Sequence, residues 1–203
     1  MSTDVFWSRG EITREQRWQR NGHKGCVVWL TGLSGSGKST LTRLLEQRLF
    51  AQGKQAFVLD GDNLRHGLNS DLGFSPTDRT ENIRRVAEVA ALLASAGHVS
   101  LISLISPYRK DRLNARRIAE SAGSGFVEVF VDAPLEICEK RDPKNLYKRA
   151  RAGEIPEFTG INAPYEAPEN PETHVHTDEL GIDASVELII TTLLPRLDVP
   201  PAA

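Results

Sequence analysis

The chain has 203 residues, of which 39% are hydrophobic and 26% are charged, a balance typical of globular proteins. This length suffices for one domain with a buried core that needs no disulfide bonds. The formal net charge of −2 excludes a global electrostatic attraction to nucleic acid or to a membrane surface. No segment approaches the ~18 apolar residues that cross a bilayer, and the N-terminus lacks a signal peptide's basic start and apolar core. We therefore expect a cytoplasmic protein that recognises its substrate through local features.

Apolar runs and helical spacing alternate along the chain. The first 25 residues are polar and mostly basic, and we interpret them as an arm, with a short helix behind a threonine cap near residues 12–17, that packs on the domain or on a partner. Strands are predicted at residues 26–30, 55–59, 99–105, 126–131 and 174–177. Helices are predicted after the loop at 32–40, ending near Gly53, and at residues 80–96, 111–122, 135–141 and 184–194. The alternation predicts an α/β fold with a parallel sheet of about five strands and helices on both faces.

Residues 32–40 fit the phosphate-binding P-loop pattern G-x-x-x-x-G-K-S/T. The residues predicted to bind the nucleotide here are Gly32, Leu33, Ser34, Gly35, Ser36, Gly37, Lys38, Ser39 and Thr40. The three glycines let consecutive backbone N–H groups point into one concave nest at a helix N-terminus. Lys38 is expected to reach the β- and γ-phosphates of ATP, and the Ser39 hydroxyl to bind a magnesium ion that bridges them. Glycine and serine also cluster in ordinary loops, but the strand-like run before this segment and the helical spacing after it favour the nucleotide site.

Two carboxylates, Asp60 and Asp62, follow the second predicted strand. They lie at the carboxyl end of a strand, which is the edge where open α/β sheets bind ligands. Asp62 is the candidate general base for an acceptor hydroxyl, and Asp60 is a candidate for orienting magnesium-bound water or the loop. The alternative is an Asx-turn, in which such aspartates only close a turn through hydrogen bonds to the backbone.

Potential anion-binding residues come next in the chain. Arg65 and Arg79 can clamp an anionic acceptor bidentately, and Phe74 can stack on a base. For a lone arginine, a solvated side chain or a surface ion pair would be the better interpretation. Together with Asn82, within eighteen residues, they favour an acceptor that is an anionic nucleotide.

A basic segment at residues 140–151 precedes an irregular stretch at 153–171 that is rich in glycine and proline. A long irregular segment inside a compact domain is usually a lid or a binding loop, and we place this lid at about residues 135–171. The size of the chain and the absence of the guanine-reading Asn-Lys-x-Asp pattern favour a small-molecule kinase over a GTPase or a mechanical ATPase.

Longer motifs carry a resemblance to one family. They are the block His23–Thr40, Asp60-Gly-Asp-Asn-Leu-Arg-His-Gly-Leu-Asn, Asp71-Leu-Gly-Phe-Ser, Asp78-Arg-Thr-Glu-Asn-Ile-Arg-Arg, Ile105-Ser-Pro-Tyr-Arg, Arg141-Asp-Pro-Lys-Asn-Leu-Tyr-Lys-Arg-Ala-Arg and Phe158-Thr-Gly-Ile. With these motifs the chain resembles the adenylylsulfate kinases over most of its length. The resemblance implies an enzyme that uses ATP and Mg²⁺ to phosphorylate the ribose 3′-hydroxyl of adenosine 5′-phosphosulfate (APS), forming 3′-phosphoadenosine 5′-phosphosulfate (PAPS). The kinase domain is placed at residues 26–197, between the arm at 1–25 and a tail at 198–203, where consecutive prolines predict a frayed end.

The resemblance also assigns roles residue by residue. It implies that Asp62 lies at the acceptor hydroxyl, with Lys38 as the other catalytic side chain, and that Ile105 lies in the substrate site. The residues implied to hold the phosphosulfate end are Arg65, Arg79 and Asn82. The two rings implied to stack on opposite faces of the substrate adenine are Phe74 and Phe158. Lys144 would come down with the lid onto phosphate charge, and Arg141 would lie against the ATP base. Ser106 is the position described in the family as a phosphoserine, although in-line transfer needs no covalent relay and a substrate-binding role is the alternative.

The chain departs from the family pattern at two places. Asn145 stands where the family usually has glycine, and asparagine tolerates the left-handed conformation better than most residues. Residues 98–101, beginning at His98, are more polar than the apolar run that the family usually has at these positions. Cys26 and Cys138 fit neither a disulfide framework nor metal spacing, so they are interpreted as buried small hydrophobic residues. No cluster of histidines and cysteines with metal spacing is recognised in the sequence, so magnesium is the only ion expected.

Two rival functions stay open at this stage. One is another P-loop kinase that acts on a sugar acid or a nucleoside, and the other is a silent nucleotide-binding module of a sulfate-activating complex. The family is commonly dimeric, so we expect a homodimer in which the N-terminal arm can serve the interface, with an ATP sulfurylase as a further possible partner. No nucleic acid or membrane partner is expected.

Overall fold

The computed structural model describes residue 6, residue 8 and residues 10–199. Within these residues the chain forms five strands and eight helices. The strands are β1 (Cys26–Thr31), β2 (Ala56–Asp60), β3 (Val99–Ser103), β4 (Gly125–Asp132) and β5 (Thr173–His176). The helices are α1 (Arg14–Asn21), α2 (Lys38–Ala51), α3 (Gly61–Leu64), α4 (Pro76–Ser95), α5 (Arg109–Ser121), α6 (Leu135–Arg141), α7 (Leu146–Arg151) and α8 (Ile182–Leu197). None of the described helices combines the length and the apolar character needed to cross a bilayer.

The five strands form one parallel sheet in the order β2-β3-β1-β4-β5. β1 is the central strand, and all six of its residues are buried. Its alternate side chains serve two cores: Val28 and Leu30 pack with α2 and α8, while Val27 and Trp29 pack with α4 and α5. Burial on both faces explains why β1 is a continuous apolar run rather than an alternating one. The predicted fold class is confirmed.

The element boundaries differ from the sequence expectations where local capping intervenes. α4 begins at Pro76, four residues before its predicted start, because the Ser75 hydroxyl caps the helix by accepting from the Asp78 N–H at 3.1 Å. β3 ends at Ser103, two residues early, because the chain turns away from the sheet toward Ser106, whose φ is +41°. Two short helices, α3 and α7, were not predicted at all.

The described part of the N-terminal arm lies against the domain. α1 begins behind Thr13, whose hydroxyl accepts from the Gln16 N–H at 3.2 Å while the Gln16 side chain accepts from the Thr13 N–H at 2.8 Å. Arg14 then donates to the carbonyl of Gly123 at 2.5 Å, and Asn21 donates to the carbonyl of Gly97 at 3.4 Å. Residues 1–5, 7 and 9 of the predicted arm and residues 200–203 of the predicted tail lie outside the described residues.

Candidate active site

The carboxyl ends of the strands open into a cleft of about 1450 Å³. Its walls come from the P-loop, the end of β2, the start of α4, the β3–α5 loop and the lid. All the predicted site residues line this cleft except Gly32, Leu33 and Ser36. The tertiary structure therefore brings together side chains that lie up to about 120 positions apart in the chain, as the parallel-sheet rule leads one to expect.

The P-loop forms a tight backbone turn between β1 and α2. Gly37 has φ +105°, a conformation that other residues rarely adopt, and Gly32 has no room for a side chain because a Cβ there would lie 2.2 Å from the carbonyl oxygen of Val131. Lys38 folds back over the loop, and its ammonium group donates to the carbonyls of Gly32 at 2.8 Å and Leu33 at 2.6 Å. Gly32 and Leu33 do not line the cleft because their carbonyl groups lie beneath the Lys38 side chain. Burial lowers the pKa of Lys38 to about 8.

The ends of β2 and β3 place two oxygen-bearing side chains beside the P-loop hydroxyl of Ser39. Ser39 Oγ donates to Asp60 Oδ2 at 2.8 Å and lies 3.1 Å from the hydroxyl of Ser103. The other carboxylate oxygen of Asp60 accepts from the N–H of Asp62 at 3.1 Å, so Asp60 also closes the Asx-type turn that begins α3. The Asx-turn interpretation of Asp60 is confirmed, and its second carboxylate oxygen lies beside the P-loop hydroxyl. A cluster of hard oxygen donors at the phosphate nest matches the ligand preference of Mg²⁺.

Asp62 faces the lid rather than the sheet. Its carboxylate forms an ion pair with the ammonium group of Lys144, 82 residues later in the chain. Both side chains are more than half exposed, and exposed pairs of this kind contribute only about 0–1 kcal/mol, so the pair opens easily. The following residue, Asn145, has φ +54° and ψ +26°, so asparagine adopts the left-handed turn expected at this family glycine position.

The two predicted clamp arginines are held by backbone carbonyls. Arg79 donates to Phe74 O at 2.9 Å and to Glu157 O at 2.6 Å, and it also reaches Thr159 Oγ1 at 2.6 Å, so it joins α4 to the lid. Arg65 donates to the carbonyls that precede Phe74 and lies 4.3 Å above the Phe74 ring. Neither arginine pairs with a carboxylate among the described residues, which removes the surface ion pair as their explanation. Both guanidinium groups border the cleft.

The lid has a small core of its own. Tyr147 on α7 is fully buried, donates its hydroxyl to Ser34 O at 2.9 Å, and meets the Phe158 ring edge-on at 5.0 Å. Cys138 packs in the same cluster, and Leu33 of the P-loop packs against it, so the lid core contacts the P-loop directly. Phe158 lines the cleft but is only 7% exposed in this arrangement, whereas Phe74 is 63% exposed.

Tyr147 is a residue that sequence reasoning missed as a contributor to the site. The available signal was the spacing of Leu146, Tyr147 and Ala150 within the basic segment, which places apolar side chains on one side of a short helix. The same segment positions Arg141, whose guanidinium donates to Thr177 O at 2.7 Å and to Gly35 O at 3.4 Å, at the rim of the P-loop.

Ser106 occupies a buried, strained position at the end of the β3 segment. It is 3% exposed, its φ is +41°, and its hydroxyl accepts a hydrogen bond from the indole N–H of Trp29 at 3.0 Å. Arg112 braces the turn by donating to the Ser106 carbonyl at 2.7 Å. Next to it, the carbonyl of Ile105 accepts from the Thr31 hydroxyl at 2.7 Å. Backbone strain held in place by several buried contacts is common at ligand sites.

Comparison with known proteins identifies the family to which this site belongs. The family model described as adenylylsulphate kinase matches residues 24–176. The chain belongs to the adenylylsulphate kinase family. The adenylyl-sulfate kinase of Staphylococcus epidermidis is 56% identical over 192 residues, which cover 95% of this chain and 96% of the relative. The family predicted from the sequence motifs is therefore confirmed.

Solved structures of adenylylsulphate kinases share this architecture. The APS kinase CysC of Mycobacterium tuberculosis, solved in complex with AMPPNP and APS, is 53% identical, with a TM-score of 0.82 over 84% of this chain and 98% of that chain. The hexameric APS kinase of Thiobacillus denitrificans is 35% identical, with a TM-score of 0.64, and covers 85% of this chain and 29% of that longer chain. The P-loop kinase fold read from the sequence is thus the fold of adenylylsulphate kinases with known structures.

Proposed function

We propose that this protein transfers the γ-phosphoryl group of ATP to the ribose 3′-hydroxyl of APS, giving PAPS and ADP. The observation that carries the proposal is one cleft with a phosphate nest on one side, Asp62 and two arginines on the other, and a lid between them, in a chain of the adenylylsulphate kinase family. The M. tuberculosis relative, solved with an ATP analogue and APS, supports the same pair of ligands. Such a reaction belongs to sulfate activation.

Phosphoryl transfer depends on positioning and on charge stabilisation rather than on covalent chemistry. In our proposal, the P-loop N–H groups and Lys38 hold the donor phosphates, and Lys38 exchanges the carbonyls of Gly32 and Leu33 for phosphate oxygens. Asp62 accepts the proton of the acceptor hydroxyl. Lys144 leaves the Asp62 carboxylate as substrates bind and turns to phosphate charge. An exposed ion pair suits this switch because it costs little to break.

The acceptor is proposed to bind between the clamp arginines and the lid. Arg65, Arg79 and Asn82 would hold the phosphosulfate, and Phe74 and Phe158 would stack on its adenine. Arg79 already bridges α4 and the lid, so an anion bound to Arg79 would lie directly against the lid. Phe74 has an exposed face for stacking, whereas Phe158 must turn outward from the lid core.

Ser39 and Asp60 are the residues proposed to hold Mg²⁺, because their oxygen atoms meet beside the phosphate nest. Bound there, the ion would supply positive charge that offsets the negative charge of the phosphates. Arg141 is proposed to lie against the ATP base, and its position at the rim of the P-loop supports this.

For Ser106 we favour a substrate-binding role over a phosphoserine intermediate. Its hydroxyl is buried and engaged by Trp29, so it is poorly placed to attack the ATP γ-phosphate. Ser106→Ala is therefore expected to keep kcat within about tenfold of the unmodified protein, since no covalent step is lost. A kcat that falls to the uncatalysed level in a folded variant would support the covalent relay instead.

The role of Asp62 is tested by steady-state phosphate transfer from ATP to APS with product identification. Asp62→Asn is expected to lower kcat roughly 100-fold or more while leaving APS binding largely intact, because a general base contributes about that much. Asp71→Asn is the matched control, since Asp71 is an exposed aspartate paired with Arg85 and does not line the cleft. Near-normal kcat in Asp62→Asn would remove Asp62 from the role of base.

Two rival functions give different results in the same assay. A kinase for another acceptor would form ADP faster with a sugar acid or a nucleoside than with APS. A silent module would bind ATP and form no ADP with APS present. Lys38→Ala is expected to abolish turnover in the proposed enzyme, because the donor phosphates lose their buried cation.

We further propose domain boundaries and partners. The boundaries are an arm at 1–25, a kinase domain at 26–197 with its lid at about 135–171, and a tail at 198–203. A homodimer that uses the arm is proposed, supported by the self-association of a hexameric relative, and light scattering of the full chain against a chain that begins at residue 22 tests it. An ATP sulfurylase partner and a cytoplasmic location stay predictions, which co-purification from cells and fractionation would check.

A further inference from the structure

A second cluster of possible ligands lies outside the catalytic cleft, at the carboxyl ends of β4 and β5. It consists of Asp132, His174 and His176, and none of the three lines the cleft. Asp132 and His176 are direct partners in the β4–β5 register, and His174 lies two residues before His176. Because side chains alternate along a strand, all three share one face of the sheet. The neighbouring Val131 and Val175 point to the opposite face and are buried in the core.

The three side chains converge at distances that suit one metal ion. His174 Nε2 lies 2.9 Å and His176 Nδ1 lies 3.7 Å from Asp132 Oδ2, and all three candidate ligand atoms lie within 4.8 Å of one another. Ligands 2.0–2.2 Å from a tetrahedral zinc ion are separated by about 3.3–3.6 Å. The observed separations bracket that range, so small rotations of two imidazole rings would complete the geometry.

The surrounding residues hold the cluster in place. The His174 ring stacks on Phe130 with centroids 4.7 Å apart, which limits how the imidazole turns. The main chain of Asp132 is held by the Thr177 N–H, which donates to its carbonyl at 2.9 Å. The three candidate ligands themselves are between 33% and 46% exposed, so an ion in solution can reach them. Metal sites usually need neighbouring residues that fix the ligands in place and a path by which the ion can enter, and this site has both.

From this juxtaposition we propose a transition-metal site of the zinc class, formed by His174 Nε2, His176 Nδ1 and a carboxylate oxygen of Asp132, with water completing the coordination. Two imidazoles and one carboxylate select Zn²⁺, Co²⁺, Ni²⁺ or Cu²⁺, whereas Mg²⁺ prefers oxygen ligands alone. The site is therefore chemically distinct from the oxygen cluster at Ser39 and Asp60. A plain ion pair between Asp132 and His174, which would only clip the edge strand to its neighbour, is the competing explanation.

The position of the site connects it to the P-loop. Thr177, the residue after His176, donates its hydroxyl to Ser36 O at 2.7 Å. Thr177 also receives a hydrogen bond on its carbonyl from Arg141 at 2.7 Å. An ion that joins β4 to β5 would therefore stiffen the strand end that supports the P-loop backbone.

The test is a titration of the full, untagged chain with Co²⁺ at pH 7.5, because d–d absorption reports both binding and tetrahedral geometry. We expect one equivalent to bind with visible absorption, Zn²⁺ to displace it, and excess Mg²⁺ to leave it in place. His174→Ala and His176→Ala are each expected to weaken binding at least about tenfold, the order found when metal-site contacts are lost. His66→Ala removes another exposed histidine and is the matched control, expected to bind like the unmodified chain.

A second measurement uses the unmodified chain, so its result does not depend on whether the variants fold. In long-range proton–nitrogen spectra of the unmodified chain, substoichiometric Co²⁺ should broaden the imidazole signals of His174 and His176 and spare that of His66. Equal broadening of all histidines, or binding that the two variants leave unchanged, would overturn the site. Loss of thermal stability in the variants with no Co²⁺ binding by the unmodified chain would also overturn it, in favour of the plain ion pair. None of these readouts depends on kinase activity.

Discussion

The buried ammonium group of Lys38 makes nucleotide binding depend on pH in a predictable direction. Its pKa is lowered to about 8, chiefly by burial and further by the positive charge of Lys144. Phosphate oxygens near the ammonium group favour the protonated form, so Lys38 in the nucleotide complex is expected to be fully charged. The free protein must then take up a proton on binding whenever the pH is near or above 8.

The size of the effect follows from the pKa. Between pH 7 and pH 9 the protonated fraction of Lys38 falls from about 0.9 to about 0.1, so the Kd for ATP should rise about tenfold, or about 1.4 kcal/mol. At pH 8, binding should take up about half a proton. Ionisation of the nucleotide contributes little to this pH dependence, because a phosphate with a second pKa of about 6 is ionised throughout this range. Burial also raises the pKa of the neighbouring Cys138 thiol.

Isothermal titration calorimetry with a non-hydrolysable ATP analogue, in two buffers of different ionisation enthalpy, measures this proton uptake directly. Lys144→Met should raise the pKa of Lys38 and move the midpoint of the pH dependence upward, because it removes a like charge. Lys140→Met, which neutralises an exposed lid lysine, should leave the midpoint in place. No proton uptake at pH 8, together with a Kd that is constant from pH 7 to pH 9, would refute the assignment of a lowered pKa to Lys38.

Two further predictions concern the stability of the scaffold, and thermal and urea unfolding check both. Gly25→Ala should lower the free energy of unfolding by more than about 2 kcal/mol, because the new Cβ would lie 1.9 Å from the carbonyl oxygen of Ala94. In the control Gly67→Ala, the new Cβ meets nothing within 4 Å, so the free energy of unfolding should change by less than about 0.5 kcal/mol. Equal effects of the two substitutions would contradict the packing argument. Arg112→Met should lower the free energy of unfolding by about 3–5 kcal/mol, because its 3% exposed side chain pairs with Glu128, which is 13% exposed, and donates to two backbone carbonyls. Arg109→Met removes a half-exposed guanidinium and should cost less than about 1 kcal/mol, so a comparable loss there would show that burial is not the cause.

Local patterns in the sequence were sufficient to predict the order of strands and helices along the chain and the position of the P-loop. The continuous apolar run at residues 26–30 predicted a strand buried on both sides, and β1 is such a strand. The P-loop follows it because Gly32 and Gly37 permit a backbone path that other residues do not. Asp60 and Asp62 were placed at the ligand edge by the rule for parallel sheets, and both line the cleft. These inferences needed only periodicity, backbone sterics and motifs.

The short helices α3 and α7 were missed because their signals are weaker than the patterns around them. α3 has four residues and depends on the Asp60 side chain as its cap, which the sequence also allowed as a simple turn. α7 carries three basic residues in six, so its charge concealed the apolar face formed by Tyr147 and Ala150. A helix shorter than two turns gains most of its stability from packing, and packing is a tertiary property.

The sequence by itself determined the fold class, the family and most of the predicted residues that line the cleft, because these follow from patterns that are local or contained within single motifs. Only the tertiary structure decided which side chains meet: Asp62 with Lys144, Trp29 with Ser106, Tyr147 with Ser34, and Asp132 with the two histidines of β5. These pairs are separated by between 42 and 113 positions. Their contacts depend on the strand order β2-β3-β1-β4-β5 and on the register of β5 against β4. Neither can be read from residue spacing, because strand order and register are set by how the whole core packs.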